Sequence, residues 1–273
     1  MTKKQQAFVD TVKKFYTAHG RHDLPWRQTH DPYKILVSEV MLQQTQVARV
    51  IPKYAEFLSL FPTVQALAEA PLGAVLTVWQ GLGYNRRAKL LHLCAQAIIR
   101  EYKGEWPYDI ATLKSLPGIG PYTAGAVAAF AFSMPSTIIE TNIRTVYLQH
   151  FFPDETAVPD SLLLPVITST LDQANPRDWY YAVMDYGSHL KQTIGNKNTQ
   201  SKHYTKQSKF VGSDRQIRGA IIRTLSQAKT SFTLPVLTKQ LGAIEPERLT
   251  HQLQKLVTEN MVQKVGSRYG LPQ

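Results

Sequence analysis

Apolar residues recur every three to four positions along most of this chain, which is the spacing of amphipathic helices. Phe8, Val12 and Phe15 share the first predicted face, and Thr2 and Gln5 are candidates to cap its helix. Further helices are predicted over 34–44, 46–60, 63–70, 72–80, 84–103, 110–116, 122–132, 142–151, 162–174 and 176–194. Glycine and proline breakers separate these runs, so the pattern predicts an all-α fold.

A smaller unit is predicted after residue 210. It contains three apolar helical faces and then an alternating segment with Gly266-Ser267 at its turn. These elements are predicted near 217–225, 234–241, 246–260 and 261–271. Three helices followed by a hairpin resemble a winged helix, a module that serves either DNA binding or protein contacts.

The segment 116–121, Leu-Pro-Gly-Ile-Gly-Pro, separates two predicted helices and indicates a helix-hairpin-helix. Its turn, with Gly118 and Gly120, leaves backbone N–H groups at the start of a helix. Such groups, together with the positive end of the helix dipole, attract a phosphate. A glycine turn between two buried helices, with no ligand, is the alternative interpretation.

The composition favours a polyanionic partner. The 273 residues include 31 Lys and Arg against 20 Asp and Glu, a net charge of +11. Many basic proteins instead bind membranes or other proteins, so charge alone does not decide. No apolar run reaches the roughly 18 residues that a membrane span needs, nor does the first segment read as a signal peptide. We therefore expect a soluble, cytoplasmic protein with no membrane partner.

Basic residues concentrate between 189 and 223, where eight Lys and Arg accompany one acid, Asp214. Lys202, Lys206 and Lys209 are the candidates for contacts with DNA phosphates, and aromatic residues lie among them. A solvated, flexible connector is the alternative.

Two carboxylates are candidates for catalysis. Glu39 is flanked by apolar residues on a predicted helix, and Glu140 follows an apolar run just before another helix. A carboxylate in such surroundings loses solvation, so it tends to be paired, protonated or functional. The alternatives are an exposed polar position for Glu39 and a helix N-cap for Glu140. A protonated acid and an ionised carboxylate are the pair that cleaves a glycosidic bond.

Residues near Glu39 suit the extrusion of a base from DNA. Gln43 and Gln44 supply amides, and Tyr84 follows a glycine-hinged turn from which it can wedge between bases. Arg86 and Arg87 begin the next helix and suit phosphates. Taken singly, each of these residues also fits an ordinary surface or packing role.

Together these motifs resemble the helix-hairpin-helix DNA glycosylases, and most closely the MutY-type adenine DNA glycosylases. The string Ser38–Val47, Ser-Glu-Val-Met-Leu-Gln-Gln-Thr-Gln-Val, is the most specific feature of the resemblance. Further matching segments are 24–27, 32–33, 50–52, 61–63, 67–68, 79–84, 116–118 and 184–187.

The resemblance implies a two-domain helical fold with the active site in the cleft between the domains. Residues 28–135 would form a six-helix barrel, residues 1–27 and 136–210 a second helical domain, and residues 211–273 the winged-helix-like unit. The expected target is a flipped adenine opposite guanine or 8-oxoguanine in double-stranded DNA, and the protein is expected to be a monomer.

The resemblance also assigns roles to single residues. Glu39 matches the acid that protonates adenine N7, and Glu140 falls where the family has an aspartate that stabilises the oxocarbenium ion. Tyr122 and Asn142 match active-site partners of these carboxylates. Tyr122 also stands where bifunctional relatives have a nucleophilic lysine, which implies base release without strand cleavage.

Three other residues match positions that probe the opposite base and the stack: Gln43, Gln44 and Tyr84. The backbone at Gly118 and Gly120 is expected to bind a phosphate and to be a candidate site for a monovalent cation.

The chain departs from the family in three ways. Its single cysteine, Cys94, excludes the four-cysteine iron–sulfur cluster, so no cofactor is expected. No counterpart of the Nudix-like C-terminal domain is expected, and Glu140 replaces an aspartate. Two alternatives remain: a thymine or uracil mismatch glycosylase of the same fold, and a non-catalytic protein that binds mismatched or structured DNA.

Overall fold

A computed structural model describes residues 1–228 and 230–273, which divide into two compact units. Unit 1 comprises Met1–Leu36, Pro107–Ser115 and Ile119–Lys206. Unit 2 comprises Val37–Trp106, Leu116–Gly118 and Gln207–Gln273. Helix α2 (Pro32–Leu42) begins in unit 1 and ends in unit 2. The predicted domain boundaries (28–135, 1–27 with 136–210, and 211–273) stay a prediction.

Unit 1 is helical and is built around α9 and α11. Its helices are α1 (Lys3–His19), α7 (Ile110–Ser115), α8 (Pro121–Phe132), α9 (Thr141–Phe151), α10 (Asp160–Thr170) and α11 (Pro176–Thr193), with 3-10 turns at Pro25–Arg27 and Lys197–Gln200. Helix α1 starts with the expected capping box, in which Gln5 N donates to Thr2 Oγ1 at 3.2 Å and Thr2 N donates to Gln5 Oε1 at 2.7 Å. The Phe8 ring packs against Tyr147 and Trp179, which joins α1 to α9 and α11.

The N-terminal part of unit 2 is also helical. It contains α3 (Val47–Leu60), α4 (Val64–Glu69), α5 (Leu72–Val78) and α6 (Arg86–Tyr102). Fully buried Trp79 and Phe57 meet edge to face with ring centroids 5.9 Å apart. Helix α4 packs along α6, so the apolar faces predicted from the sequence form one core.

The C-terminal part of unit 2 has the expected three helices and hairpin, together with a short first strand that was not predicted. They are α12 (Asp214–Ser226), α13 (Leu234–Gln240), α14 (Pro246–Thr258), β1 (Phe232–Thr233), β2 (Gln263–Val265) and β3 (Arg268–Gly270). The strands form an antiparallel sheet in the order β1-β3-β2. This part contacts α5 and α6, since Gly73 N donates to Pro272 O at 2.9 Å and Lys89 Nζ donates to Glu259 O at 2.5 Å.

The predicted helical fold with a small C-terminal unit is confirmed, and the differences lie at element ends. Helix α6 starts at Arg86 rather than at 84, because Tyr84 has a φ of 49° that no α-helix accommodates. Helix α10 ends at Thr170 rather than at 174, because the Asp172 carboxylate accepts the N–H groups of Ala174 and Asn175 in a local turn. In the described residues, we find no helix with both the length and the apolar composition of a membrane span.

Candidate active site

Glu39 lies near the end of α2 and is buried, with 7% of its surface exposed. Its neighbours Ser38, Val40 and Met41 are also buried, which explains why the apolar flanks in the sequence indicated an enclosed acid. The exposed position that was the alternative interpretation is therefore excluded. A carboxyl group removed from solvent tends to be paired, protonated or functional, so the burial of Glu39 keeps it a candidate for catalysis.

Arg87 holds the end of α2 to the glycine turn that precedes α6. Its guanidinium donates to the backbone carbonyls of Val40, Met41 and Gln43 and of Leu82 and Gly83, at distances from 2.6 to 3.0 Å. Burial lowers the pKa of Arg87 to about 10, which leaves it charged at neutral pH. Since protein acceptors surround the guanidinium, we interpret Arg87 as positioning the Glu39 helix. Its predicted phosphate contact stays a prediction.

The residues predicted to probe DNA lie on the two segments that Arg87 joins. Gln43 and Gln44 follow α2, and Gln44 is exposed with a φ of 55°. Tyr84 is half-buried and also has a positive φ, at the end of the glycine turn. Arg86 is exposed at the start of α6. Unit 2 thus brings Gln43, Gln44 and Tyr84 together around one arginine, although their contacts with DNA stay a prediction.

Glu140 is the N-cap of α9, as the alternative interpretation of the sequence had it. Its Oε1 accepts the backbone N–H groups of Asn142 at 2.7 Å and Ile143 at 2.8 Å. Its Oε2 accepts from the Asn142 amide at 3.3 Å. The capping role and a catalytic role are compatible, because a helix N-terminus holds an anion in a fixed place. The structure therefore brings together Glu140 and Asn142, two of the predicted catalytic residues.

Lys191 is a residue of this cluster for which the sequence analysis proposed no role. Its Nζ, on α11, donates to Asn142 Oδ1 at 2.9 Å. Burial lowers the pKa of Lys191, and the charge of Glu140 opposes part of that shift. Helix α11 packs closely against Asn142 because residue 187 is a glycine. A Cβ at this position would lie 2.3 Å from the Asn142 carbonyl oxygen. The only sequence signal for this contact was the segment 184–187, which matches the family. The close packing of α11 on α9 explains why that segment ends in a glycine.

The same motif contains Asp185, which forms a buried ion-pair cluster in unit 1. Its carboxylate accepts from the guanidinium groups of Arg27 at 2.7 and 2.8 Å and of Arg21 at 2.7 Å, and from Arg21 N at 2.8 Å. Burial by itself raises the pKa of Asp185, but the hydrogen bonds and charges of Arg27 and Arg21 outweigh it and lower the pKa overall. This cluster ties the 21–27 loop to α11, the helix that carries Lys191.

We expect this cluster to make unfolding sensitive to acid. Because the folded pKa of Asp185 lies below the ordinary value near 3.9, its stabilisation is complete above about pH 4 and is lost as the pH falls through the lowered value. Urea midpoints between pH 7 and pH 2.5 should therefore fall less steeply for Asp185→Asn than for the wild type. Exposed Asp10 offers a matched control, and equal acid sensitivity of Asp185→Asn and the wild type would contradict the assignment.

The predicted turn between two helices is present, between α7 and α8. Gly118 has a φ of 77°, and a Cβ there would lie 2.6 Å from the Leu90 Cβ of α6. Gly120 is the N-cap of α8 and offers no side-chain acceptor, so the first N–H groups of this helix lack a side-chain cap. Tyr122 is half-buried in the first turn of α8. Phosphate and monovalent cation binding at this turn stay predictions.

Three lysines of the basic segment were predicted to contact DNA phosphates, and all three are exposed. Lys202 and Lys206 lie in unit 1 and Lys209 in unit 2, all in irregular backbone and all exposed. Both a phosphate-binding segment and a solvated connector remain compatible with this placement.

The residues of the chain do not fit the iron–sulfur cluster of the family. Four cysteines would be needed, and the sequence contains only Cys94. This residue is buried on α6, and burial raises its thiol pKa to about 12. Within the described part of the chain, no group of three or more His, Cys, Asp or Glu residues is arranged to hold a metal ion.

The fold and these carboxylates define a helical protein of the helix-hairpin-helix class, with one buried acid and one helix-capped carboxylate. A family model described as "HhH-GPD superfamily base excision DNA repair protein" matches residues 37–223. Since this match covers more than half of the sequence, the chain belongs to the HhH-GPD superfamily.

Individual relatives agree with this membership. An adenine DNA glycosylase of Mycolicibacterium smegmatis is 33% identical over 269 residues, which cover 91% of this chain and 90% of that protein. An adenine DNA glycosylase of Buchnera aphidicola is 40% identical over 144 residues, 53% of this chain but only 41% of that protein. Among solved structures, a thermostable thymine-DNA glycosylase matches with a TM-score of 0.62 and 27% identity, over 68% of this chain and 87% of that one.

Proposed function

We propose that this chain is a monofunctional DNA glycosylase that hydrolyses the N-glycosidic bond of a flipped adenine opposite guanine or 8-oxoguanine. The observation that carries the proposal is the burial of Glu39 on α2, where Ser38, Val40 and Met41 are buried as well. Superfamily membership and the similarity of most of the chain to adenine DNA glycosylases support it. The partner is double-stranded DNA with a mispaired or damaged base, bound by a single copy of the chain.

In the proposed reaction, Glu39 donates its proton to N7 of the extruded adenine. The C1′–N9 bond then breaks, and its electron pair leaves with the base. The Glu140 carboxylate stabilises the positive charge that develops on the sugar. A water molecule adds to C1′ and loses a proton, so the products are adenine and an abasic site. Asn142 orients Glu140, with which it shares a hydrogen bond.

The proposed reaction stops at the abasic site. Tyr122 stands where bifunctional relatives have a nucleophilic lysine, and its side chain has no amine that could form a Schiff base with the sugar. Hydrolysis of this bond needs no redox step, so we propose that the enzyme works without a cofactor. Backbone contacts would come from Gly118 and Gly120, and further phosphate contacts from the exposed residues Arg86, Lys202, Lys206 and Lys209.

A second candidate is excision of thymine or uracil opposite guanine. The similarity to a solved thymine-DNA glycosylase, over 87% of that chain, favours it over other activities of the same fold. The tyrosine at position 122 is compatible with both candidates.

A panel of duplexes distinguishes these functions. It places A, T or U opposite G, 8-oxoguanine or C, and strand breaks are scored with and without alkali. We expect abasic sites from A opposite G and 8-oxoguanine, with breaks only after alkali. Release of T or U instead would establish the second candidate, breaks without alkali would refute monofunctional action, and tight binding without abasic product would refute catalysis.

A further inference from the structure

The turn that carries Tyr84 and the first half of α12 enclose a cavity of about 710 Å³ within unit 2, here named the α12 pocket. Aromatic rings, amides and guanidinium groups share its lining. The residues that matter below are Gln44, Tyr84, Gln207, Phe210, Arg215 and Arg223. The described residues that line it include no carboxylate. Cavities of this size hold small molecules or single nucleotides.

Two polar side chains, Gln207 before α12 and Arg215 at its start, contact the turn that carries Tyr84. Gln207 Nε2 donates to the Gln44 side-chain oxygen at 3.1 Å and to the Tyr84 hydroxyl at 2.5 Å. The Arg215 guanidinium also donates to the Tyr84 hydroxyl and lies 4.8 Å from the centre of its ring. Its second nitrogen donates to the Ser208 carbonyl at 2.8 Å. Hydrogen-bond donors, an amide oxygen and an aromatic face thus converge on one space.

The arginines of the pocket have different surroundings. Arg218 forms a bidentate ion pair with Glu259, at 3.0 and 2.7 Å, and is therefore engaged by protein. Arg223 is exposed at the pocket, which suits a DNA phosphate. Arg215 is half-buried in the lining, and its two terminal nitrogens donate to the Tyr84 hydroxyl and to the Ser208 carbonyl. Each of these nitrogens carries a second N–H, which leaves a pair of donors for a ligand.

This chemistry selects one kind of base. The O6 and N7 atoms of guanine are both acceptors, and a guanidinium group pairs with them through two parallel hydrogen bonds. Aromatic rings stack on a base without regard to its identity. Because carboxyl groups are absent from the described lining, the pocket offers no acid to protonate a departing base, whereas Glu39 does. The α12 pocket therefore suits the base that stays in the DNA.

We propose that Arg215 and Gln207 bind the guanine of the A·G mispair in the α12 pocket, beside the opposite-base contacts already expected of Gln44 and Tyr84. Arg215 pairs with the O6 and N7 edge of the guanine, and Gln207 pairs with a neighbouring polar atom. This inference rests on the proposed function, since guanine is the partner of the adenine that is excised there. It makes Arg215 and Gln207 specificity-determining residues contributed by the C-terminal part of the chain.

The test compares single-turnover excision of adenine from duplexes that differ only in having G or C opposite the adenine. Arg215→Met and Gln207→Leu in the full chain should each reduce the A·G over A·C rate ratio, by about tenfold for Arg215→Met. Arg215→Lys should resemble Arg215→Met, because an ammonium cannot form the bidentate pair. Arg223→Met should weaken binding to both duplexes equally. Arg100→Met, which removes an exposed arginine of α6, should leave both rates unchanged.

The outcomes separate this inference from the proposed function. If the wild type releases adenine and the Arg215 and Gln207 variants keep its rate ratio, the inference is wrong while the proposed function stands. If the wild type releases no adenine from either duplex, the proposed function is wrong. In that case, equilibrium affinities for the A·G and A·C duplexes, which do not depend on base release, test whether the pocket binds guanine. A wild-type preference for A·G over A·C that Arg215→Met removes supports the inference, and equal affinities overturn it.

Discussion

Glu39→Gln should reduce adenine release from an A·G duplex by about a thousandfold or more, while affinity for the same duplex stays within a few fold of the wild type. Glutamine has nearly the same shape as glutamate, but its amide cannot transfer the proton that makes adenine a leaving group. The measurement is single-turnover base release, scored after alkali, beside an electrophoretic titration of the same duplex. A thermal melt of the variant verifies that the fold is retained.

A matched control uses Glu69, an exposed glutamate on α4 of the same unit. Glu69→Gln removes the same charge and should leave base release unchanged. Wild-type rates in Glu39→Gln would remove Glu39 from the mechanism.

The helical architecture and the burial of Glu39 were predictable because both depend on local pattern. An apolar period of three to four residues specifies the buried face of a helix, and α1, α3 and α6 formed where that period placed them. Glu39 is followed by Val40 and Met41, so no rotation of α2 turns the glutamate outward without exposing apolar residues. The local sequence was therefore sufficient to predict that Glu39 is buried.

The partners of the site residues were not predictable, because they are distant in sequence. Lys191 reaches Asn142 only after α11 has packed on α9, and no periodic pattern encodes that pairing. Arg87 was predicted only as a phosphate contact at a helix start, and its place among the backbone carbonyls of two other segments had no signal in the sequence. Carbonyl acceptors belong to every residue type, so the side-chain sequence gives no signal for such contacts.

Glu140 shows that two interpretations of one residue need not compete. An N-cap and a catalytic anion were the alternative interpretations of its place in the sequence, and the structure establishes the cap. The hydrogen bonds of the cap are also what would hold the carboxylate rigid beside a developing cation. Rigid placement matters because a carboxylate that must reorient during the reaction loses part of its electrostatic effect. The Glu140 side chain is longer than the aspartate of the family, and the cap hydrogen bonds hold it in place in this chain.

Glu140→Gln should lower adenine release by about a hundred- to a thousandfold with little loss of stability. The glutamine carbonyl oxygen can still accept the N–H groups of Asn142 and Ile143, so α9 keeps its cap. What disappears is the negative charge that stabilises the sugar cation. Single-turnover base release and a thermal melt of the same preparation measure the two effects separately.

Two further variants separate the charge of Glu140 from its geometry and from its cap. Glu140→Asp keeps the charge but moves it by about an ångström, so its rate should fall between those of the wild type and Glu140→Gln. Thr63→Ala removes the N-cap of α4, where Thr63 accepts the Ala66 N–H at 3.1 Å, and should cost about 1 kcal/mol of stability without slowing base release. If Glu140→Gln released adenine within tenfold of the wild-type rate, Glu140 would be a cap alone, and the sugar cation would need another anion.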